Sequence, residues 1–218
     1  MKIKGVIFDA DGTLLDSMKF CDESVLRLIR SMGIAPDDRL TEILTPMSME
    51  EGAKFLKKEY DLPVSENEII DRENKFIEKF YSREVTLRSG AVEFLNCLKE
   101  KNIPMTVASA TDRYLIEMAL KRLEIFDYFR AVISCTDIGE GKTSPEIFYS
   151  ACEIMDTLPG ETLVAEDSLI AIKTAKKAGF ITMGVYDESQ KRNREDIVKI
   201  SDLFVEKGFD INILLTSC

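Results

Sequence analysis

No histidine occurs in the 218 residues. Its absence removes histidine-based triads, histidine metal sites and histidine general bases together, so catalysis must run on carboxylates, hydroxyls, lysine or cysteine. The five cysteines, Cys21, Cys97, Cys135, Cys152 and Cys218, are scattered and include no C-x-x-C pair. Neither a zinc site nor a disulfide framework is expected, and they read as reduced thiols of a cytoplasmic protein. An excess of basic residues is also missing. Lysine and arginine number 29 against 39 aspartates and glutamates, for a formal charge of −10. A general nucleic-acid binder would show a basic footprint, so no nucleic-acid partner is expected. An anionic small molecule stays open, because a bound cation and one lysine can reverse the local field. No apolar stretch is long enough to span a membrane. The first apolar segment runs straight into Asp9 and Asp11, so no signal peptide is expected. Internal repeats and low-complexity tracts are lacking too.

What remains is ordinary for a globular chain: 45% hydrophobic and 31% charged residues. The length suits one large domain or one domain carrying an insert. Ile3 to Phe8 is a short apolar run rich in β-branched residues, and it reads as a buried strand. Similar runs recur at Met105 to Ala108, Ala131 to Ser134, Leu163 to Ala165 and Ile181 to Val185. Helical spacing separates them at Ala91 to Lys101, Leu115 to Leu123, Pro145 to Met155 and Ser168 to Ala178, with Gly179 placed to cap the last. This alternation implies an α/β fold, a Rossmann-like parallel sheet covered on both faces.

Residues 17–84 break the alternation and read as wholly helical. Cys21 to Met32 carries Val25, Leu28, Ile29 and Met32 on one stripe, and Gly33 stops it. Ser48 with Glu51, and Ser65 with Glu68, are capping-box signatures. Ile69, Ile70, Phe76, Ile77 and Phe80 supply the apolar positions after the second. The expected organisation is a core of residues 1–16 and 85–218 with a helical domain at 17–84, and a solvated connection or short helix at Glu188 to Asp196.

Chemistry concentrates where strands end. Asp9-Ala10-Asp11-Gly12-Thr13 places two carboxylates two residues apart where the first strand becomes a turn. Turn chemistry alone accounts for many lone D-x-D-G strings. Here an apolar strand precedes the string and Leu14-Leu15-Asp16-Ser17 follows it. Like charges this close need a cation when buried, and Mg²⁺ suits oxygen ligands. Three further strings follow: Ser109-Ala110-Thr111 closing the second core strand, Gly141-Lys142-Thr143-Ser144-Pro145, and Glu166-Asp167-Ser168 after Leu163 to Ala165. Taken singly they read as a helix cap or turn, a solvated lysine and an acidic helix start.

Taken in order, the four strings resemble the motifs of the haloacid dehalogenase superfamily of phosphohydrolases, across nearly the whole chain. Thr143 departs from a proline of the third motif. The resemblance implies a Mg²⁺-dependent phosphatase acting on a small phosphorylated metabolite, with Asp9 as nucleophile and Asp11 as general acid and base. It implies phosphate binding by Ser109, Ala110 and Lys142, Lys142 also serving catalysis. It assigns the metal to Asp9, Asp11 (through a backbone oxygen), Glu166 and Asp167. The helical insert resembles the family's cap, hinged near Asp16 and Glu84, with Phe20, Cys21, Met47, Met49 and Glu73 placed to bias the leaving group. A monomer is the expectation.

Three alternatives stand beside that reading. A sugar phosphomutase of the β-phosphoglucomutase type shares all four motifs, but it carries a histidine and basic cap residues where this chain has Cys21, Met49 and Glu73. Lys54 raises a phosphonate-hydrolase reading. A receiver-like module accepting phosphate on Asp9 lacks a helical insert after its first strand.

Overall fold

A computed structural model describes residues 2–210. Cys218 lies outside the described residues. Six strands form one sheet: β1 (Gly5–Phe8), β2 (Met105–Ser109), β3 (Ala131–Ser134), β4 (Thr162–Glu166), β5 (Ile181–Val185) and β6 (Leu203–Val205). Their order is β3-β2-β1-β4-β5-β6 and every pairing is parallel. β1 is central and buried along its length, as a parallel strand covered on both faces must be. Its side chains alternate. Val6 and Phe8 join the cluster of Leu95, Leu98 and Leu115, while Ile7 joins Phe148, Ala171 and Ala175 on the other face.

The first strand does not reach back to Ile3. Ile3 is buried, but pairing begins at Gly5. β6 answers to no expected run. It adds three residues at the edge beside β5.

Between β1 and β2 lie α1 (Met18–Ser31), α2 (Leu40–Leu44), α3 (Met49–Glu59), α4 (Glu66–Tyr81) and α5 (Ala91–Glu100). The first four make the cap, inserted after the first strand of a Rossmann-like core. They share an apolar cluster built from Val25, Leu28, Ile29, Leu40, Leu56 and Ile69. Ser48 caps α3 with a complete capping box through Glu51. Ser65 caps α4 by accepting from Glu68 N. Gly33, with φ of +77°, ends α1. Phe76 is 43% exposed and is not part of the buried stripe, which runs Ile69, Glu73, Ile77 and Tyr81 at four-residue intervals. Phe20 stacks on Phe80 with ring centroids 4.0 Å apart, and so packs the cap rather than facing the cleft. The two chain crossings run side by side: Asp16 N donates to Thr86 O and Arg88 N to Leu14 O, both at 2.9 Å.

The rest of the chain runs through α6 (Arg113–Arg122), α7 (Cys135–Ile138), α8 (Glu146–Met155), α9 (Leu169–Lys177) and α10 (Arg194–Ile200), of which the one-turn α7 answers to no expected helix. The stretch at 188–196 is a 3-10 turn, Glu188–Asn193, leading into α10. After β3 the chain returns across the sheet to β4, so the order reverses beside β1. Open α/β sheets receive ligands at such a reversal, outside the carboxyl ends of the strands.

Candidate active site

Asp9 follows β1 directly, and its N–H extends the ladder to Ala165 O at 2.9 Å. Glu166 ends β4 and Asp167 follows it, so the reversal of strand order sets these acids side by side. Gly12 lets the chain turn beneath them. Its φ is +78°, and a Cβ there would stand 2.8 Å from the Asp167 carboxyl carbon. Lys142 enters from the loop between α7 and α8. Its Nζ donates to Asp9 Oδ1 and, at 2.6 Å, to Glu166 Oε1. All four residues are nearly fully buried.

One ammonium against three buried carboxylates leaves excess negative charge. Burial foremost, then Glu166 and Asp11, push the Asp9 carboxyl up to about 8, against the opposing pull of Lys142. Burial followed by Glu166 and Asp9 raises Asp167 well above the usual carboxylate range. Burial alone would lower Lys142, but Asp9 and Glu166 outweigh it and hold the ammonium above its ordinary value.

Single ligand oxygens of Asp9, Glu166 and Asp167 lie within 4.8 Å of one another, close enough to share one divalent cation. Asp167 Oδ2 is buried without a hydrogen-bond partner. That orphan oxygen fits a hard cation, which also relieves the charge. Glu166 is differently placed. Its Oε1 accepts from Lys142 and its Oε2 from Ser168 N at 2.9 Å, so both its oxygens have protein partners.

The Asp11 carboxylate stands apart from that trio. Its Oδ1 accepts from Ser17 Oγ at 2.5 Å and from Tyr81 Oη, and its Oδ2 accepts from Thr111 Oγ1 at 2.8 Å. Burial first, and then the Asp11 charge, hold the Tyr81 phenol well above its usual range, so it stays a donor. Ser109 closes β2, and its Oγ accepts from Thr111 N at 3.1 Å. Ala110 follows it, half-buried, on the same cleft wall. The structure therefore gathers Asp9, Asp11, Ser109, Ala110, Lys142, Glu166 and Asp167 around one cleft under the cap. Thr143, at the departure from the motif, is exposed. Lys54 is exposed on α3 and does not line the cleft.

The cap rests on this site through Gly141 and Lys142. Lys142 N donates to Pro46 O at 2.7 Å. A Cβ on Gly141 would meet Glu51 Oε2, and Pro46 O at 2.6 Å. Sequence reasoning missed Tyr81, Ser17 and Thr111 as partners of Asp11. Ser17 and Thr111 stand inside or beside the motif strings, which was a signal. Tyr81 gave none, being an aromatic residue at a helix end seventy positions from Asp11. Among the described residues no helix is long and apolar enough to cross a membrane.

Residues 3–179 match the family described as "Hydrolase: haloacid dehalogenase-like hydrolase". The chain is 28% identical over 214 residues to "Beta-phosphoglucomutase" of Bacillus subtilis, covering 94% of this chain and 93% of that one. It is 27% identical over 177 residues to "Phosphorylated carbohydrates phosphatase" of Thermotoga maritima, covering 81% of this chain and 82% of that one. Among solved structures, the β-phosphoglucomutase of Clostridium difficile superposes with a TM-score of 0.82 at 20% identity, over 98% of this chain and 96% of that one, a likeness of fold. With the matched segment spanning every motif and both sides of the cap, the chain belongs to the haloacid dehalogenase-like hydrolases.

Proposed function

We propose that this protein is a Mg²⁺-dependent phosphatase that hydrolyses a small phosphate monoester through an aspartyl phosphate on Asp9. One observation carries the reading. A buried Asp9 carboxylate faces the Lys142 ammonium at the sheet's reversal point, beside an Asp167 oxygen that has no protein partner. The two relatives named above, a β-phosphoglucomutase and a phosphorylated-carbohydrate phosphatase, support a small phosphorylated molecule as substrate.

In this reading Asp9 attacks phosphorus and the bond to the leaving oxygen breaks. Asp11 gives that oxygen a proton. It then takes a proton from water, whose oxygen attacks the same phosphorus and releases phosphate and free Asp9. Ser17, Tyr81 and Thr111 fix the Asp11 carboxylate for both transfers. Lys142 neutralises the incoming dianion. Ser109 uses its hydroxyl oxygen toward Thr111 N, which leaves its proton to donate to phosphate. Asp9 and Asp167 would hold Mg²⁺ directly, with the Asp11 backbone oxygen, and Glu166 would act from behind by orienting Lys142. The bound ion supplies charge neutralisation on the transferring group.

A phosphomutase needs a place for a second phosphate. Among the described residues lining the cleft, Lys142 is the only lysine or arginine, and Cys21, Met49 and Glu73 supply no charge that would receive one. This favours hydrolysis. The test is turnover of p-nitrophenyl phosphate by wild type and Asp9→Asn, each with Mg²⁺ and with chelator. Loss of at least about a thousandfold in the variant is expected. Full activity in Asp9→Asn, or turnover indifferent to chelation, overturns the assignment.

A further inference from the structure

The cap end of the cleft carries a charge that the phosphatase chemistry does not use. Glu73 sits on the inward stripe of α4 between Ile69 and Ile77, and only 7% of it is exposed. Its Oε2 accepts from Ser24 Oγ at 2.7 Å. Its Oε1 is buried with no hydrogen-bond partner. A carboxylate oxygen left unmatched away from water is costly, and a carboxylate accepts only. Among the described residues, none donates to this oxygen. Lys142 is the one basic residue lining the cleft, and it is engaged by Asp9 and Glu166.

Asp22 adds a second acid to the same wall. Burial, and then the Asp187 charge, push it up to about 6. Asp22 and Glu73 each add to the rise of the half-buried Cys21 thiol. The rest of the cap wall is largely apolar, with Val25, Leu44, Leu56, Ile69 and Ile77 prominent. Ser24, Thr41, Thr45 and Ser48 add hydroxyls to it, none of them charged. The cavity measures about 160 Å³. The cleft is open to solvent on one side, so this is the space held between cap and core. The lining favours a compact leaving group with an apolar middle and a donor at its far end. An anionic far end meets Glu73 and Asp22 with like charge. A hydroxyl matches one oxygen but leaves two acids uncompensated.

Resting on the phosphatase reading, we propose that the substrate is the phosphate monoester of a short amino alcohol, its ammonium received by Glu73.

The experiment measures kcat/KM for aminopropyl, butyl, hydroxypropyl and carboxypropyl phosphates with Mg²⁺ present. The enzymes are wild type, Glu73→Gln and Asp22→Asn, and thermal unfolding verifies the folding of each. Wild type should prefer aminopropyl over butyl phosphate by roughly tenfold or more, the scale of one charge-assisted hydrogen bond. Carboxypropyl phosphate should be the poorest. In Glu73→Gln the aminopropyl-to-butyl ratio should fall to within about twofold. A purely structural role for Glu73 would depress both substrates alike and leave the ratio intact. Should Glu73→Gln fail to fold, the wild-type ranking and a reduced ratio in Asp22→Asn decide the matter. Equal use of aminopropyl and butyl phosphates, a preference for hydroxypropyl phosphate, or a ratio untouched by the variants overturns the inference while hydrolysis of butyl phosphate keeps the phosphatase reading intact. Failure to hydrolyse any of these esters or p-nitrophenyl phosphate removes both.

Discussion

Tyr81, in the last turn of cap helix α4, donates its phenolic hydrogen to Asp11 Oδ1 in the loop after β1. The contact joins the cap to the acid that the mechanism assigns to proton transfer. Tyr81 is fully buried in the core's main apolar cluster, so its ring is fixed by packing and its hydroxyl is aimed rather than mobile.

Replacing Tyr81 by Phe keeps that packing and removes one of three hydroxyl donors. Ser17 and Thr111 still hold the carboxylate. The expected outcome is a fall in kcat of about tenfold, roughly 1.4 kcal/mol in the barrier, with KM changed much less. Steady-state kinetics on the two enzymes checks it. A kcat equal to wild type would show that the contact only supports packing.

Gly141 gives the second prediction. Any side chain there meets Pro46 O and the Glu51 carboxylate, the two groups through which the cap sits on the core. Gly141→Ala should hold the cap slightly open without touching the core cluster. Thermal stability should change by about 1 kcal/mol or less, while kcat/KM falls about tenfold or more because a half-closed cap admits water and misplaces the leaving group. Stopped-flow measurement of single turnover checks this, and an unchanged rate would show that Pro46 and Glu51 move aside easily.

These contacts mark where the sequence was informative. β1 to β5 were readable because each is a short, mostly apolar run, interrupted only by Thr106 in β2 and by Thr182 and Gly184 in β5. β6 was not, since Leu203 to Val205 is three residues long, partly exposed, and flanked by Asp202 and Glu206. The grouping of Asp9, Lys142, Glu166 and Asp167 follows from parallel strands ending on one side of the sheet. The partners of Asp11 follow from how the cap is seated, which no periodicity records. Glu73 was readable in part. An acid four residues from Ile69 and four from Ile77 stands on an apolar stripe, and only a partner or a ligand makes that position tolerable.

The last prediction concerns metal and pH. Without metal, the Asp9 carboxyl titrates at about 8 in the folded protein against an ordinary 3.8. Between those values the unfolded chain has lost this proton while the folded protein keeps it. Its contribution to stability therefore falls as pH rises through the window and levels off above about 8. Mg²⁺ requires the ionised carboxylate, so its binding releases the proton, and its affinity should rise by about tenfold per pH unit for each proton released until about pH 8. Burial raises Asp167 as well, which steepens the same trend. Thermal unfolding with and without Mg²⁺ across this range checks the sign: the gain in Tm on adding Mg²⁺ should widen as pH increases. A gain that is flat or shrinks with pH would mean that these carboxylates are already ionised before the ion arrives, and that the charge excess at the site is relieved by something other than a proton.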